Sequence, residues 1–152
     1  MTVHVQEVGI AYAPLLASMH TQCFNTGAQW DQTAITALLS SPGVYAGIVI
    51  MESHPAGFII LRSVVDEAEI LTVCILPEYR KRGLAQRLLA WCAQVAQHKG
   101  AQTLFLEVSI NNQSARTLYE KQGFKKLGLR KKYYEDGSDA LVLGRACQAA
   151  SP

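Results

Sequence analysis

The chain has 152 residues, 49% of them hydrophobic and 17% charged, with a formal net charge of +2. That length predicts one domain able to bury a sizeable core, the composition is globular, and no low-complexity segment or internal repeat is visible. The charge is too small to argue nucleic-acid binding by itself, although basic residues cluster at 80–87 and 125–132.

Met1–Glu7 alternates polar and apolar residues and lacks the charged, then apolar, then small-residue layout of a signal peptide. No apolar run approaches the ~20 residues needed to span a bilayer, so a cytoplasmic protein is expected. Cys23, Cys74, Cys92 and Cys147 are widely spaced, with no C-x-x-C pair and no histidine grouping that would hold zinc. They read as free, buried thiols in a reducing compartment, and no metal site is expected.

A first strand is predicted over Thr2–Val8 and a helix over Ile10–Phe24, with apolar residues at 12, 15, 16, 19 and 23. Asp31 can cap a second helix over Thr33–Leu39. Trp30, between the two helices, has two readings: a plug in the gap between them or a border to a binding site. Gly43–Glu52 and Pro55–Val65 are two apolar strands around a Ser53-His54 turn, and Ala68–Leu76 is a third, giving an antiparallel meander. Pro77 stops that third strand.

Downstream, Leu84, Leu88, Trp91, Cys92, Val95 and Ala96 recur at helical spacing, and Gly100 supplies a C-terminal stop. A strand therefore feeds an amphipathic helix through a basic turn, Arg80-Lys81-Arg82-Gly83. The backbone N–H groups at a helix start lack intrahelical partners, and the helix dipole favours an anion there. Such a turn either binds phosphate or is an ordinary connection with solvated basic residues. Neither G-x-x-x-x-G-K-[ST] nor G-x-G-x-x-G is present.

Thr103–Ser109 is the next strand, with Leu104, Leu106 and Val108 on one face and Phe105, Glu107 and Ser109 on the other. Glu107, the one charge within it, must be hydrogen-bonded, paired, or at a cleft open to water, unless that face is simply solvated. A short helix from Asn112 or Ser114 to Lys121 carries Tyr119, readable as core, and ends at Gly123. Residues 124–132 carry five basic side chains, and Tyr133-Tyr134 leads through Glu135-Asp136-Gly137-Ser138 into a strand over Ala140–Leu143, closing a hairpin. The order is β-α-α-β-β-β-α-β-α-β-β, an α/β fold with a mixed, mostly antiparallel sheet.

Arg80-x-x-Gly83-x-Ala85 resembles the [QR]-x-x-G-x-[GA] pyrophosphate loop of the GNAT superfamily of N-acetyltransferases. The likeness continues through Leu104-Phe105-Leu106-Glu107-Val108, Asn112, Leu118-Tyr119-Glu120-Lys121-Gln122-Gly123-Phe124, Arg130-Lys131-Lys132-Tyr133-Tyr134 and Asp139-Ala140-Leu141. These narrow it to the RimI type, the ribosomal-protein-alanine N-acetyltransferases, with a good match over residues 66–144. The resemblance implies a GNAT fold in a single N-acetyltransferase domain over 1–152, with 146–152 as a loose tail.

It also implies that acetyl-coenzyme A is bound by Lys81, Arg82, Gly83, Leu84, Ala85 and Gln86, by backbone around Val73, Cys74 and Ile75, and by Asn112. Glu107 becomes the general base and Tyr119 the acid at the departing sulfur, while Glu69, Trp30, Tyr133 and Tyr134 border the acceptor. The implied acceptor is a protein N-terminus, by resemblance the alanine of a small-subunit ribosomal protein. A protein α-amine has a pKa of ~7.7 to 8.0 and lysine ~10.4, so deprotonating lysine at neutral pH costs about 3 kcal/mol more. The alternatives are acetylation of a small amine or a lysine, and, in another class, a non-catalytic acyl-coenzyme A sensor or RNA-binding module; Glu107 and Tyr119 together argue against the latter.

Overall fold

The computed structural model describes residues 2–24, 29–134 and 136–147. It contains strands β1 (Val3–Val8), β2 (Val44–Met51), β3 (His54–Val64), β4 (Glu67–Ile75), β5 (Thr103–Ser109), β6 (Lys125–Arg130) and β7 (Ala140–Ala146). The helices are α1 (Ala13–Cys23), α2 (Gln32–Ser40), α3 (Leu84–His98) and α4 (Gln113–Lys121), with short 3₁₀ turns at Ile10–Tyr12 and Pro77–Tyr79. The seven strands form one sheet in the order β1-β2-β3-β4-β5-β7-β6. Its β1–β2, β2–β3, β5–β7 and β6–β7 pairs are antiparallel and its β4–β5 pair is parallel. Element order and mixed sheet are those read from the sequence.

The chain divides into two compact units, residues 1–62 with 71–92, and residues 63–70 with 93–152. In the first unit, strand alternation puts Ala46, Ile48, Phe58, Ile60 and Cys74 into one cluster with Leu16 and Met19 of α1 and Ile35 of α2. Each fully buried Leu, Ile, Met or Phe there contributes about 1.5–3 kcal/mol. Pro14 at the head of α1 suits the first helical turn, where its missing N–H costs nothing, and the chain before it winds as a 3₁₀ turn. Asp31 caps α2 as expected, its Oδ1 accepting from Ala34 N–H at 2.8 Å. On β2, a Cβ at Gly47 would come within 2.6 Å of the Trp91 ring, so only glycine lets α3 approach the strand this closely. The β2–β3 turn falls on Glu52 and Ser53, both at positive φ (50° and 66°), and His54 is already in β3, one residue earlier than the sequence suggests.

The cysteine expectation is corrected here. Cys23 and Cys74 form a disulfide, with Cα atoms 6.1 Å apart across 51 positions of sequence, while Cys92 and Cys147 are buried thiols. The sequence gives no hint of the pairing, because it depends on the last turn of α1 lying against β4.

In the second unit, β5 alternates as read: Leu104, Leu106 and Val108 are buried, and Phe105, Glu107 and Ser109 are half-buried. It pairs with β7 along its whole length, from Thr103 against Ala146 to Ser109 against Ala140. The loose tail expected over 146–152 is corrected at its start: β7 runs through Ala146, and Cys147 is buried with its N–H donating to Gln102 O at 2.9 Å, while residues 148–152 lie outside those described. No described helix is long and apolar enough to cross a membrane. Among the described residues no group of three or more His, Cys, Asp or Glu could hold a metal.

Candidate active site

The basic turn lies in the first unit, between β4 and α3. Pro77–Tyr79 forms a 3₁₀ turn, Arg80 is extended, and Lys81 and Gly83 both take positive φ, 64° and 76°. Two left-handed residues in three curl the backbone into a tight loop, a conformation that favours glycine. The first turn of α3 closes with Arg87 N–H on Gly83 O, so the amides of residues 83–86 have no intrahelical acceptor. A Cβ at Gly83 would meet only Gln86 Oε1, at 3.9 Å; the space above the loop is open.

The cations are tethered: Arg80 Nε donates to Ile75 O at 3.1 Å, and Arg82 donates to Glu78 O at 3.4 Å with its guanidinium 5.9 Å from the Tyr79 ring centre. They set a positive field while the backbone N–H groups stay available, an arrangement suited to a phosphate. Leu84 is buried and anchors the helix start, Ala85 is half-buried, and Lys81 and Gln86 are exposed. In β4, Val73 and Ile75 are half-buried and Cys74 is buried in its disulfide.

Trp30 belongs to the same unit, and its packing role is plain. Its ring stacks on His20 at 4.9 Å, with Phe24 on the same imidazole at 4.2 Å, and its backbone N–H donates to His20 Nδ1 at 3.1 Å. His20 is 1% exposed, and burial pushes its pKa from 6.5 down to about 4. Of its ring partners, Phe24 is the C-cap of α1 itself, one helical turn on, whereas Trp30 lies ten positions away in sequence.

The chemistry-bearing side chains cluster in the second unit. Asn112 caps α4, its Oδ1 accepting from Ala115 N–H at 3.2 Å, which leaves only its amide N–H groups for a ligand. At the other end, Phe124 N–H bonds to Tyr119 O and Gly123 N–H to Glu120 O, with Gly123 at φ 91°. This Schellman turn places Phe124 edge-on to the Tyr119 ring, centroids 5.7 Å apart. Tyr119 is 7% exposed, and burial, followed by the neighbouring Tyr134, pushes its pKa up to about 12. Tyr134 is raised to about 12 as well, by burial first and then by Glu107, Tyr133 and Asp136. Tyr134 thus stands within electrostatic reach of both Tyr119 and Glu107.

The hairpin that carries the tyrosines is pinned at several points. Lys132 N–H donates to Asp139 Oδ1 at 2.9 Å, Gly137 N–H to Tyr134 O at 2.9 Å, and Ser109 Oγ and Ser138 Oγ share a 3.0 Å bond. Tyr133 and Tyr134 meet edge-on at 5.1 Å. Glu69, exposed on β4, is the register partner of Phe105 and so shares the β5 face that carries Glu107. Glu107 itself is paired: Arg130 Nη1 lies 3.1 Å from its Oε1. Of the possibilities open for this carboxylate from sequence, pairing is the one realised, with a residue that had read as part of a basic patch.

A model of the Acetyltransferase (GNAT) family matches residues 11–124. The chain belongs to this family. Among GNAT relatives, a protein from Bacillus subtilis (strain 168) is 36% identical over 107 residues, 70% of this chain and 71% of that one. The [ribosomal protein bS18]-alanine N-acetyltransferase of Haemophilus influenzae is 42% identical over 91 residues, 59% of this chain and 62% of its own length. The crystal structure of the ribosomal-protein-S18-alanine N-acetyltransferase from Escherichia coli superposes with a TM-score of 0.87 over 99% of this chain and 97% of that one, at 24% identity. That last likeness speaks for the GNAT fold.

Proposed function

We propose that this GNAT acetyltransferase transfers the acetyl group of acetyl-coenzyme A to the α-amine of a protein N-terminus, with the N-terminal alanine of a ribosomal protein as its acceptor, and does so in the cytoplasm as a single catalytic domain. The observation that carries the reading is the grouping in the second unit of a carboxylate and two tyrosine hydroxyls, with Tyr134 within electrostatic reach of both Glu107 and Tyr119. The 42% identity to a protein named for N-terminal alanine acetylation supports that acceptor.

Acetyl-coenzyme A supplies the activated thioester. The amides of Gly83, Leu84, Ala85 and Gln86, with Lys81 and Arg82, take its pyrophosphate; the backbone of Val73, Cys74 and Ile75 and the amide of Asn112 complete the binding set. Glu107 accepts a proton from the acceptor nitrogen. Tyr119 donates a hydrogen bond to the sulfur as it leaves. A hydroxyl near pKa 12 is protonated at every working pH, and against a thiol near ~8.5 full proton transfer would be uphill by about 3.5 units, roughly 5 kcal/mol. Tyr119 therefore stabilises the thiolate by hydrogen bonding without surrendering its proton. Glu69, Tyr133 and Tyr134 guide the acceptor backbone, and Trp30, held by His20, contributes its ring edge.

The test is a set of peptides incubated with acetyl-coenzyme A and read by mass spectrometry. Peptides beginning with alanine or serine are acetylated at the α-amine faster than matched peptides carrying only an internal lysine at neutral pH. Faster lysine acetylation at saturating coenzyme would defeat the acceptor assignment.

A further inference from the structure

The carboxylate proposed as the base already has a cation on it. The Glu107–Arg130 pair joins a side chain that is 17% exposed to one that is 58% exposed. Register explains how they meet: Glu107 faces Val142, which faces Gly128, and Ser109 faces Ala140, which faces Arg130. Arg130 therefore stands on the same sheet face as Glu107, two strands and about 10 Å away. Ala140 of the intervening β7, the register partner of Arg130, lies on that same face. The guanidinium also has a second contact, 5.4 Å from the centre of the Tyr133 ring, where it can rest when it leaves the carboxylate.

We propose that Arg130 is the resident counter-cation of Glu107: the acceptor's α-ammonium displaces it, and it returns once that nitrogen is acetylated. This rests on the reading of Glu107 as the base. An α-amine with a pKa of ~7.7 to 8.0 arrives mostly protonated at neutral pH, as a cation that can replace a guanidinium. Glu107 takes one of its three protons, and the freed lone pair forms the N–C bond to the acetyl carbon as the C–S bond breaks. A second proton ends on the departing sulfur, and the third stays on the amide. Glu107 passes the proton it took to water and is a carboxylate again; the amide is neutral and can no longer compete with Arg130, so the guanidinium reclaims Glu107 and the product is released. Arg130 is a positioning residue, selective for cationic over neutral nitrogen.

The experiment combines calorimetry and steady-state kinetics on the full chain, with an alanine-first peptide and its N-acetylated product, using Arg130→Gln, Arg130→Lys, Glu107→Gln and the double variant. Arg130→Gln is expected to lower the KM of the peptide and the inhibition constant of the acetylated product by about 2- to 5-fold, the range for an ion pair with one largely exposed partner. The KM of acetyl-coenzyme A stays put, and Arg130→Lys, which keeps the charge, returns both constants toward wild type. In the Glu107→Gln background Arg130→Gln changes peptide affinity no further, because the two act through one contact. A peptide KM that rises or holds in Arg130→Gln, or an equal tightening with Glu107 replaced, overturns the proposal. Undiminished turnover in Glu107→Gln overturns instead the base reading, and the affinities judge Arg130 separately.

Discussion

Tyr119→Phe separates a catalytic hydroxyl from a packed ring. The substitution keeps the edge-on contact with Phe124 at 5.7 Å, and the Schellman turn that sets it uses backbone alone. A general acid that transfers its proton fully is worth about 10²- to 10⁴-fold. With burial and Tyr134 holding the hydroxyl near pKa 12, full transfer is disfavoured, and what is lost is one hydrogen bond to a charged sulfur, about 1.5–3 kcal/mol. Turnover should therefore fall by about 10- to 150-fold at 1.36 kcal/mol per decade. Single-turnover acetylation of an alanine-first peptide, followed by rapid quench and mass spectrometry, isolates the chemical step. Acetyl-coenzyme A affinity and melting temperature serve as controls and should change little. Wild-type Tyr119 should also show no alkaline loss of rate from its own ionisation up to about pH 10, since the fraction ionised there is ~1%. A Tyr119→Phe protein with undiminished single-turnover rate would refute the assignment, and a loss confined to stability would return the residue to the core.

Two further outcomes are expected. Gly83→Asp should weaken acetyl-coenzyme A binding by at least tenfold in calorimetry, and Gly83→Ala by less, because both strain a backbone held at φ 76° but only the aspartate adds a negative charge beside the free amides; equal affinities in all three proteins would remove the loop from coenzyme binding. His20 has a folded-state pKa of about 4 against 6.5 unfolded, so between these values the unfolded chain binds more protons, and stability is complete above pH 6.5 and lost as pH falls toward 4. The loss is at most about 3 kcal/mol, from 2.5 units at 1.36 kcal/mol each, and less where water screens the ring. His20→Phe should flatten that slope in urea unfolding between pH 4.5 and 7, and parallel curves for the two proteins would show that another group carries it.

Much of this molecule was decided by residues close together in sequence. Period-two alternation located β5 at Thr103–Ser109, Asp31 located the start of α2, and Gly123 ended α4, since each signal acts through backbone within a few residues of itself. The pyrophosphate-type loop was legible for the same reason: a strand stop, a glycine and a helix start are consecutive. The partners were not. Arg130 reaches Glu107 because β7 lies between β5 and β6, an order the hairpin alone does not imply. Cys23 meets Cys74 only once α1 has packed, and His20 stacks on Trp30 across ten positions of sequence. Local sequence sets backbone conformation through short-range sterics and hydrogen bonding, whereas the charge and burial felt by a side chain are set by whatever distant segment the core brings against it. Tertiary packing thus decided the cation on Glu107 and the raised pKa of Tyr119.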